Sequence, residues 1–319
     1  MNLSALTLTQ LRYLLALDEH RSFRVAALAC HVSQPALSSQ LQKLEELLGV
    51  ALFDRSKKPI VPTDAGARLI PQARIVVQET ERLADLARCD VDVVAGRYRL
   101  GVIPTVSATI LPRLLPSFCA AYPEVELVVE EHPTEVLVER LLQDRLDGGL
   151  AATPLHVPGI RERPLFREPF WAYLPAGHPL LQREVLSQED LQNEPLWLLA
   201  EGHCFRGQVL QFCRTHCPVS TPKGSALAFE GGTFSTLIGL VDAGMGSTVL
   251  PELMLQSLAS EQRRQHARPF AAPEPVREVS LLYARSHLRR NVAEHLGKTL
   301  VNQLPQSYLT QQGQVLPPT

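Results

Sequence analysis

The sequence contains no apolar run approaching the roughly 20 residues that a membrane-spanning helix needs. Its first residues, Met1-Asn2-Leu3-Ser4, lack the charged start, apolar stretch and small-residue cleavage site of a secretory signal. A cytoplasmic location with no membrane partner is therefore expected. Charge of one sign is lacking too: 31 Lys and Arg stand against 33 Asp and Glu, a formal net charge of −2. That balance argues against nucleic-acid binding by bulk electrostatics, but not against a local basic surface. The six cysteines, at 30, 89, 119, 204, 213 and 217, include no CxxC pair and read neither as a disulfide framework nor as a zinc site. The nearest approach to a metal set, Cys213, His216 and Cys217, wants a fourth ligand, so neither a metal nor another cofactor is expected. A reducing compartment keeps such thiols free unless they are used. At 319 residues the chain is long enough for two or three domains, each with its own core.

Against this background one stretch stands out, Gly202-His203-Cys204-Phe205-Arg206-Gly207, with Cys213 nine residues beyond Cys204. His203, Arg206 and a nearby helix N-terminus are the neighbours that favour a thiolate over a thiol. Residues 205–214 carry a helical apolar pattern through Val209, Leu210, Phe212 and Cys213. On one helix, nine residues span about 13.5 Å of axis, whereas a disulfide needs Cα atoms within roughly 7 Å. Cys204 and Cys213 either never bond, or bond only by remodelling the segment.

The first ninety-odd residues read as helices: 8–19, 23–29, and a third from the N-cap Ser33 to about Leu48, with Pro35 in its first turn and Gly49 ending it. Two short apolar runs around a basic turn with Pro59 read as a two-stranded wing, and a long helix follows toward Asp92. In it Leu69, Ala73, Val76, Thr80, Leu83 and Ala87 alternate in steps of four and three. Such a heptad seam packs against a partner helix, within the chain or in a second copy, and a helix between domains favours the second copy. Pro71 inside it is expected to kink or loosen its first half. From Arg99 strands and helices alternate, which means parallel sheets covered by helices. The expected division is 1–63, 64–95 as linker, 96–164 with 270–305 as one α/β subdomain, 165–269 as the other, and a disordered polar tail at 306–319.

Helix, short turn, capped helix and basic wing make a winged helix-turn-helix. Gln34, Ser38 and Gln42, after Ser33 and Pro35, suit base edges or phosphates, and Arg55, Lys57 and Lys58 suit phosphates or the minor groove. The run Phe23-Arg24-Val25-Ala26-Ala27-Leu28-Ala29-Cys30-His31-Val32-Ser33-Gln34-Pro35-Ala36-Leu37-Ser38, then Leu52-Phe53-Asp54-Arg55 and Thr63-x-Ala-Gly66, resembles the N-terminal domain of LysR-type transcriptional regulators. The order of the remaining parts is similar to that family as well. The resemblance implies an α plus α/β protein: a winged helix-turn-helix, a long linker helix, and a periplasmic-binding-protein-like regulatory domain of two α/β subdomains. It implies a double-stranded DNA operator, self-association to a dimer or tetramer, and RNA polymerase as a further partner.

The stretch around Cys204, with Ile103-Pro104-Thr105-Val106, resembles the peroxide-sensing members of that family. On that resemblance hydrogen peroxide is the signal, Cys204 the thiolate that it oxidises, and Cys213 the disulfide partner. Thr105, Thr134, His203 and Arg206 would then line the peroxide pocket. The product sulfenic acid condenses with a thiol to give a disulfide. Gly207 departs from the acidic residue usual after the arginine, and Cys217 is a competing resolving thiol. Two other readings stay open: a regulator responding to a small-molecule effector near Thr105, Thr134 and Thr233, and a thiol peroxidase. The expected protein is a regulator, not an enzyme.

Overall fold

In a computed structural model, which describes residues 5–88, 94–192, 194–213, 231–284 and 290–318, the chain divides into two units, Met1–Val93 and Val94–Thr319. In the first, α1 (Leu8–His20) starts where the side chains of Thr7 and Gln10 cap each other's backbone N–H. Helix α2 (Phe23–Ala29) leads to α3 (Gln34–Leu48), where the Ser33 hydroxyl accepts from the Ala36 N–H at 3.3 Å. Gly49, at φ 71°, closes α3 in the left-handed region. Strands β1 (Phe53–Asp54) and β2 (Val61–Pro62) pair antiparallel as the wing. Helix α4 (Asp64–Arg88) follows, running on through Pro71 as one helix. At its start Thr63 donates its hydroxyl to the Ala51 carbonyl and accepts from the Gly66 N–H. A Cβ on Gly66 would come within 2.1 Å of the Leu52 carbonyl oxygen, so only glycine lets the wing and α4 meet this closely.

The core of this unit is leucine from α1 and α3, closed by Ile70, Ala73 and Val77 of α4. Asp18, buried, receives Arg21 at 2.8 Å and Arg74 at 3.1 Å and so ties α4 to α1. The heptad seam is therefore divided. Leu69 and Ala73 are spent on their own domain, while Val76 (45%) and Leu83 (68%) are exposed and lie outside that unit's core. The side chain of Ala87, Cys89 and the expected extension to Asp92 lie outside the described residues.

The second unit opens with β3 (Gly96–Val102), α5 (Pro104–Ala121), β4 (Val125–Glu131), α6 (Thr134–Leu142) and β5 (Gly148–Thr153), its three strands parallel. The chain then lays down β6 (Arg161–Tyr173), β7 (Leu196–Trp197), α7 (Cys204–Cys213), α8 (Phe234–Asp242) and β8 (Ser247–Pro251). After α9 (Glu252–Gln256), α10 (Ser260–His266) and β9 (Ala267–Pro269), it returns along β10 (Pro275–Tyr283) to α11 (Arg290–Asn302). The sheet order is β4-β3-β5-β10-β6-β8-β7. The first part of β6 pairs antiparallel with β10 and its last residues pair with β8 and β9, so one strand serves both halves. Each half has its own apolar core, one around Val102, Ile110, Phe118 and Leu281, the other around Phe170, Trp197, Phe212 and Leu250. This is the expected pair of α/β subdomains.

The disordered tail is corrected. Helix α12 (Ser307–Thr310) and strand β11 (Gln314–Val315) are packed. Tyr308 is buried with its ring stacked on Phe166, and β11 pairs parallel with β10. Leu316 is buried in the second core. The polar, proline-bearing composition conceals two apolar anchors, Tyr308 and Leu316. The Gln314 and Leu316 N–H groups donate to the Glu274 and Val276 carbonyls at 2.8 and 2.9 Å, which satisfies the segment's backbone.

Candidate redox site and nucleic-acid interface

Helix α7 begins at Cys204, two residues after Gly202 at φ 88°. The Cys204 side chain packs into the first core, whereas Phe205, Val209, Phe212 and Cys213 pack into the second. Burial pushes the Cys204 thiol above the ordinary thiol range, while the Thr134 hydroxyl, the charge of Arg277 and the N–H groups of Phe205 and Cys204 itself pull it back. Each of those groups stabilises negative charge on sulfur. The Thr134 Oγ1, at the first residue of α6, is shut off from solvent with no other hydrogen-bond partner.

The cations expected beside the thiol are used otherwise. Arg206 donates to the Leu199 carbonyl at 3.0 Å, bracing the start of α7. His203 is half-buried, and desolvation lowers its pKa, which favours the neutral imidazole. Thr105, at the start of α5, has its hydroxyl buried without a partner, and its carbonyl accepts from Arg277 at 3.1 Å. Thr134, His203, Cys204 and Arg206 line one cavity of about 680 Å³ between α6, the 155–157 loop, α7 and Pro318. Thr105 is not among its lining residues.

Arg277 is the member that sequence reasoning missed. It lies on β10, fully buried, with Glu168 of β6 at 2.7 Å, and its guanidinium stands 5.5 Å from the centre of the Phe205 ring. The other Glu168 oxygen accepts from the Leu253 N–H at 2.8 Å. Its only signal was a charge in each of two strands that come together in the fold: in sequence they stand 109 residues apart. The buried Gln208 of α7 was missed as well; its amide donates to the Leu316 carbonyl at 2.6 Å and fastens the tail to the cysteine helix.

Of the other cysteines, Cys30 is half-buried against the first unit's core, while Cys119 is exposed. Cys217 and His216 lie outside the described residues. Among the described residues no group of three or more His, Cys, Asp or Glu is arranged to hold a metal, and no helix is long and apolar enough to cross a membrane.

On the first unit Ser33, Gln34, Pro35 and Gln42 are exposed and Ser38 is half-buried, along the outer side of α3. The Gln42 amide donates to Glu46 at 3.0 Å. Lys57 and Lys58 are exposed at the wing tip. Arg55 is held inward by Glu45 at 2.6 Å, with its guanidinium over the Phe23 ring.

Comparison with known proteins matches residues 8–67 to the bacterial regulatory helix-turn-helix protein family of lysR type and residues 91–305 to the LysR substrate binding domain. A hydrogen peroxide-inducible genes activator of Pectobacterium carotovorum subsp. carotovorum is 35% identical over 92% of this chain and 96% of its own length. The DNA-binding transcriptional dual regulator OxyR of Escherichia coli K12 is also 35% identical, over 92% of this chain and 95% of its own. Among solved structures, a full-length cysteine-to-aspartate OxyR from Pseudomonas aeruginosa superimposes with a TM-score of 0.78 at 33% identity, covering 92% of this chain and 97% of that one. An H2O2-bound cysteine-to-serine OxyR from Corynebacterium glutamicum gives 0.61 at 30% identity, over 93% and 92%. With both domain models matched and relatives of this identity spanning nearly its whole length, the chain belongs to the LysR family of bacterial helix-turn-helix regulators.

Proposed function

We propose that this regulator binds double-stranded DNA through α3 and its wing and is switched by hydrogen peroxide at Cys204. The observation that carries the reading is Cys204 at the head of α7, on a cavity, with an unpartnered Thr134 hydroxyl, two backbone N–H groups and the charge of Arg277 directed at its sulfur. These groups stabilise the thiolate and the oxygen that leaves. The Cys204 sulfur attacks one peroxide oxygen; the S–O bond forms as the O–O bond breaks, and the departing hydroxide takes a proton to become water. Cys204 is left as a sulfenic acid, oxidised by two electrons. The Cys213 thiol then attacks that sulfur and displaces a second water, giving the disulfide.

Helix α7 opposes the last step, since it holds the two Cα atoms about 13.5 Å apart and commits the two side chains to different cores. Disulfide formation thus unwinds α7, and the change passes to DNA through a second copy of the chain. Exposed Val76 and Leu83 on α4 supply the pairing face of a dimer or tetramer, and RNA polymerase is the downstream partner. Peroxide-treated protein, digested without reductant, is expected to yield a Cys204–Cys213 linked peptide, and Cys204→Ser to abolish peroxide-dependent regulation. Unmodified Cys204 after peroxide treatment would overturn the reading.

A further inference from the structure

We propose that the cavity at Cys204 admits uncharged organic hydroperoxides, R–O–OH, as well as hydrogen peroxide; this rests on the redox role proposed for Cys204. The cavity measures about 680 Å³. Hydrogen peroxide fills on the order of 40 Å³, judging from the roughly 30 Å³ that a water occupies in the liquid. The space is instead that of an organic ligand, for which pockets run to about 300–1,000 Å³ with mostly apolar walls and few polar groups. Its composition matches: Val138, Leu142, Leu155, Val157, Leu210 and Pro318 form an apolar wall, and Thr134 and Cys204 open onto the same space.

The placement of the polar groups gives the ligand an orientation. The buried Thr134 Oγ1 faces the Cys204 sulfur and has no other partner, so the peroxide end belongs there and the alkyl or aryl body lies along the apolar wall. Gly207 contributes no side chain to its part of the lining. Charge selects further. Among the described residues, Glu135, Glu139 and Glu201 stand around the cavity against one cation, Arg206, which itself is tied to the Leu199 carbonyl. A neutral hydroperoxide is therefore preferred over one carrying a carboxylate.

The reaction balances as for hydrogen peroxide. The Cys204 sulfur bonds to the terminal oxygen, the O–O bond breaks, and the alkoxide R–O⁻ takes up the thiol's proton to leave as the alcohol. The terminal oxygen keeps its own hydrogen, so Cys204 becomes Cys–S–OH while the hydroperoxide is reduced by two electrons.

The test uses the full-length reduced protein, cumene hydroperoxide and hydrogen peroxide, with Cys204 oxidation followed by sulfenic-acid trapping and mass spectrometry. The second-order constants for the two oxidants are expected to lie within tenfold of each other. Leu142→Glu, at an exposed wall position, and Gly207→Asp are each expected to lower the ratio of the cumene to the hydrogen peroxide constant at least tenfold. Fast oxidation by hydrogen peroxide with a cumene constant more than 100-fold lower overturns this inference and leaves the peroxide reading standing. A ratio unmoved by both variants also overturns it. No oxidation by either compound defeats the proposed function itself.

Discussion

The guanidinium of Arg277 lies 2.7 Å from the carboxylate of Glu168, and neither side chain meets solvent. The pair joins β10 to β6 where the two subdomains divide, and it is held on both sides, by the Leu253 N–H on Glu168 and the Thr105 carbonyl on Arg277. Removing one partner strands a buried charge, at a cost of about 3–5 kcal/mol, whereas an apolar pair of similar volume is often neutral. Arg277→Met is therefore expected to lose stability of that order in urea unfolding. The double variant Arg277→Met with Glu168→Met should regain most of it. Equal losses in single and double variants would show that the ion pair is not what holds this junction.

The pair also explains a limit of sequence reading. Helix caps, the wing, the parallel unit and the position of Cys204 all follow from local pattern. By contrast, the first part of β6 does not read as strand, because Pro164, Arg167, Glu168 and Pro169 break the apolar alternation. Those residues become strand by pairing with β10, where Arg277 neutralises Glu168. The tail was illegible for the same reason: Tyr308 and Leu316 are isolated apolar residues whose partners lie far away in sequence. At the site, adjacency suggested His203 and Arg206 as the cations of Cys204, but the fold turns Arg206 to a carbonyl and brings in Arg277 instead.

Burial raises the Cys204 thiol, so alkylation by iodoacetamide should follow a pH profile centred above that of an ordinary cysteine. Thr134→Val removes a group that lowers it, and the profile should move further up. The sign for stability follows from linkage. The folded chain keeps a proton that the unfolded chain releases, so this contribution is complete below the unfolded pKa and fades as pH rises through the folded one. Cys204→Ser should weaken the alkaline loss of stability; an unchanged slope contradicts the assignment.

Exposed Lys57 and Lys58 at the wing tip should act on phosphates. Lys57→Ala and Lys58→Ala are each expected to reduce the slope of log K against log salt by about 0.9, on any duplex sequence. Arg55→Ala, which frees Glu45 and uncovers Phe23, should destabilise the domain as well. Anisotropy titrations at several salt concentrations, alongside thermal melts, separate the two effects.

Leu83, 68% exposed on α4, takes no part in the first unit's core. Leu83→Glu should weaken self-association in sedimentation experiments while leaving the melting of the helix-turn-helix unit within about 0.5 kcal/mol, as surface changes generally do. A variant as fully associated as the parent would place the interface elsewhere.

The Gln208 amide bonds the Leu316 carbonyl, and the Leu316 N–H bonds Val276. Unwinding α7 breaks the first bond, so peroxide treatment should speed hydrogen exchange at Leu316 together with α7. Gln208→Leu should do so at Leu316 without oxidant. Slow exchange there in the oxidised protein would mean that the tail holds independently of the helix.

The division of α7 between two cores, with Cys204 in one and Phe205 onward in the other, means that the sulfur proposed to sense peroxide is also a piece of filling. A buried cysteine behaves as a small apolar group, whereas the sulfenic acid that it becomes is polar, with a hydroxyl that its apolar neighbours in the first core cannot hydrogen-bond. The first product of the reaction is therefore a misfit in one half of the regulatory domain while the other half is still intact. Asymmetry of that kind gives the domain a direction in which to give way before any second thiol takes part.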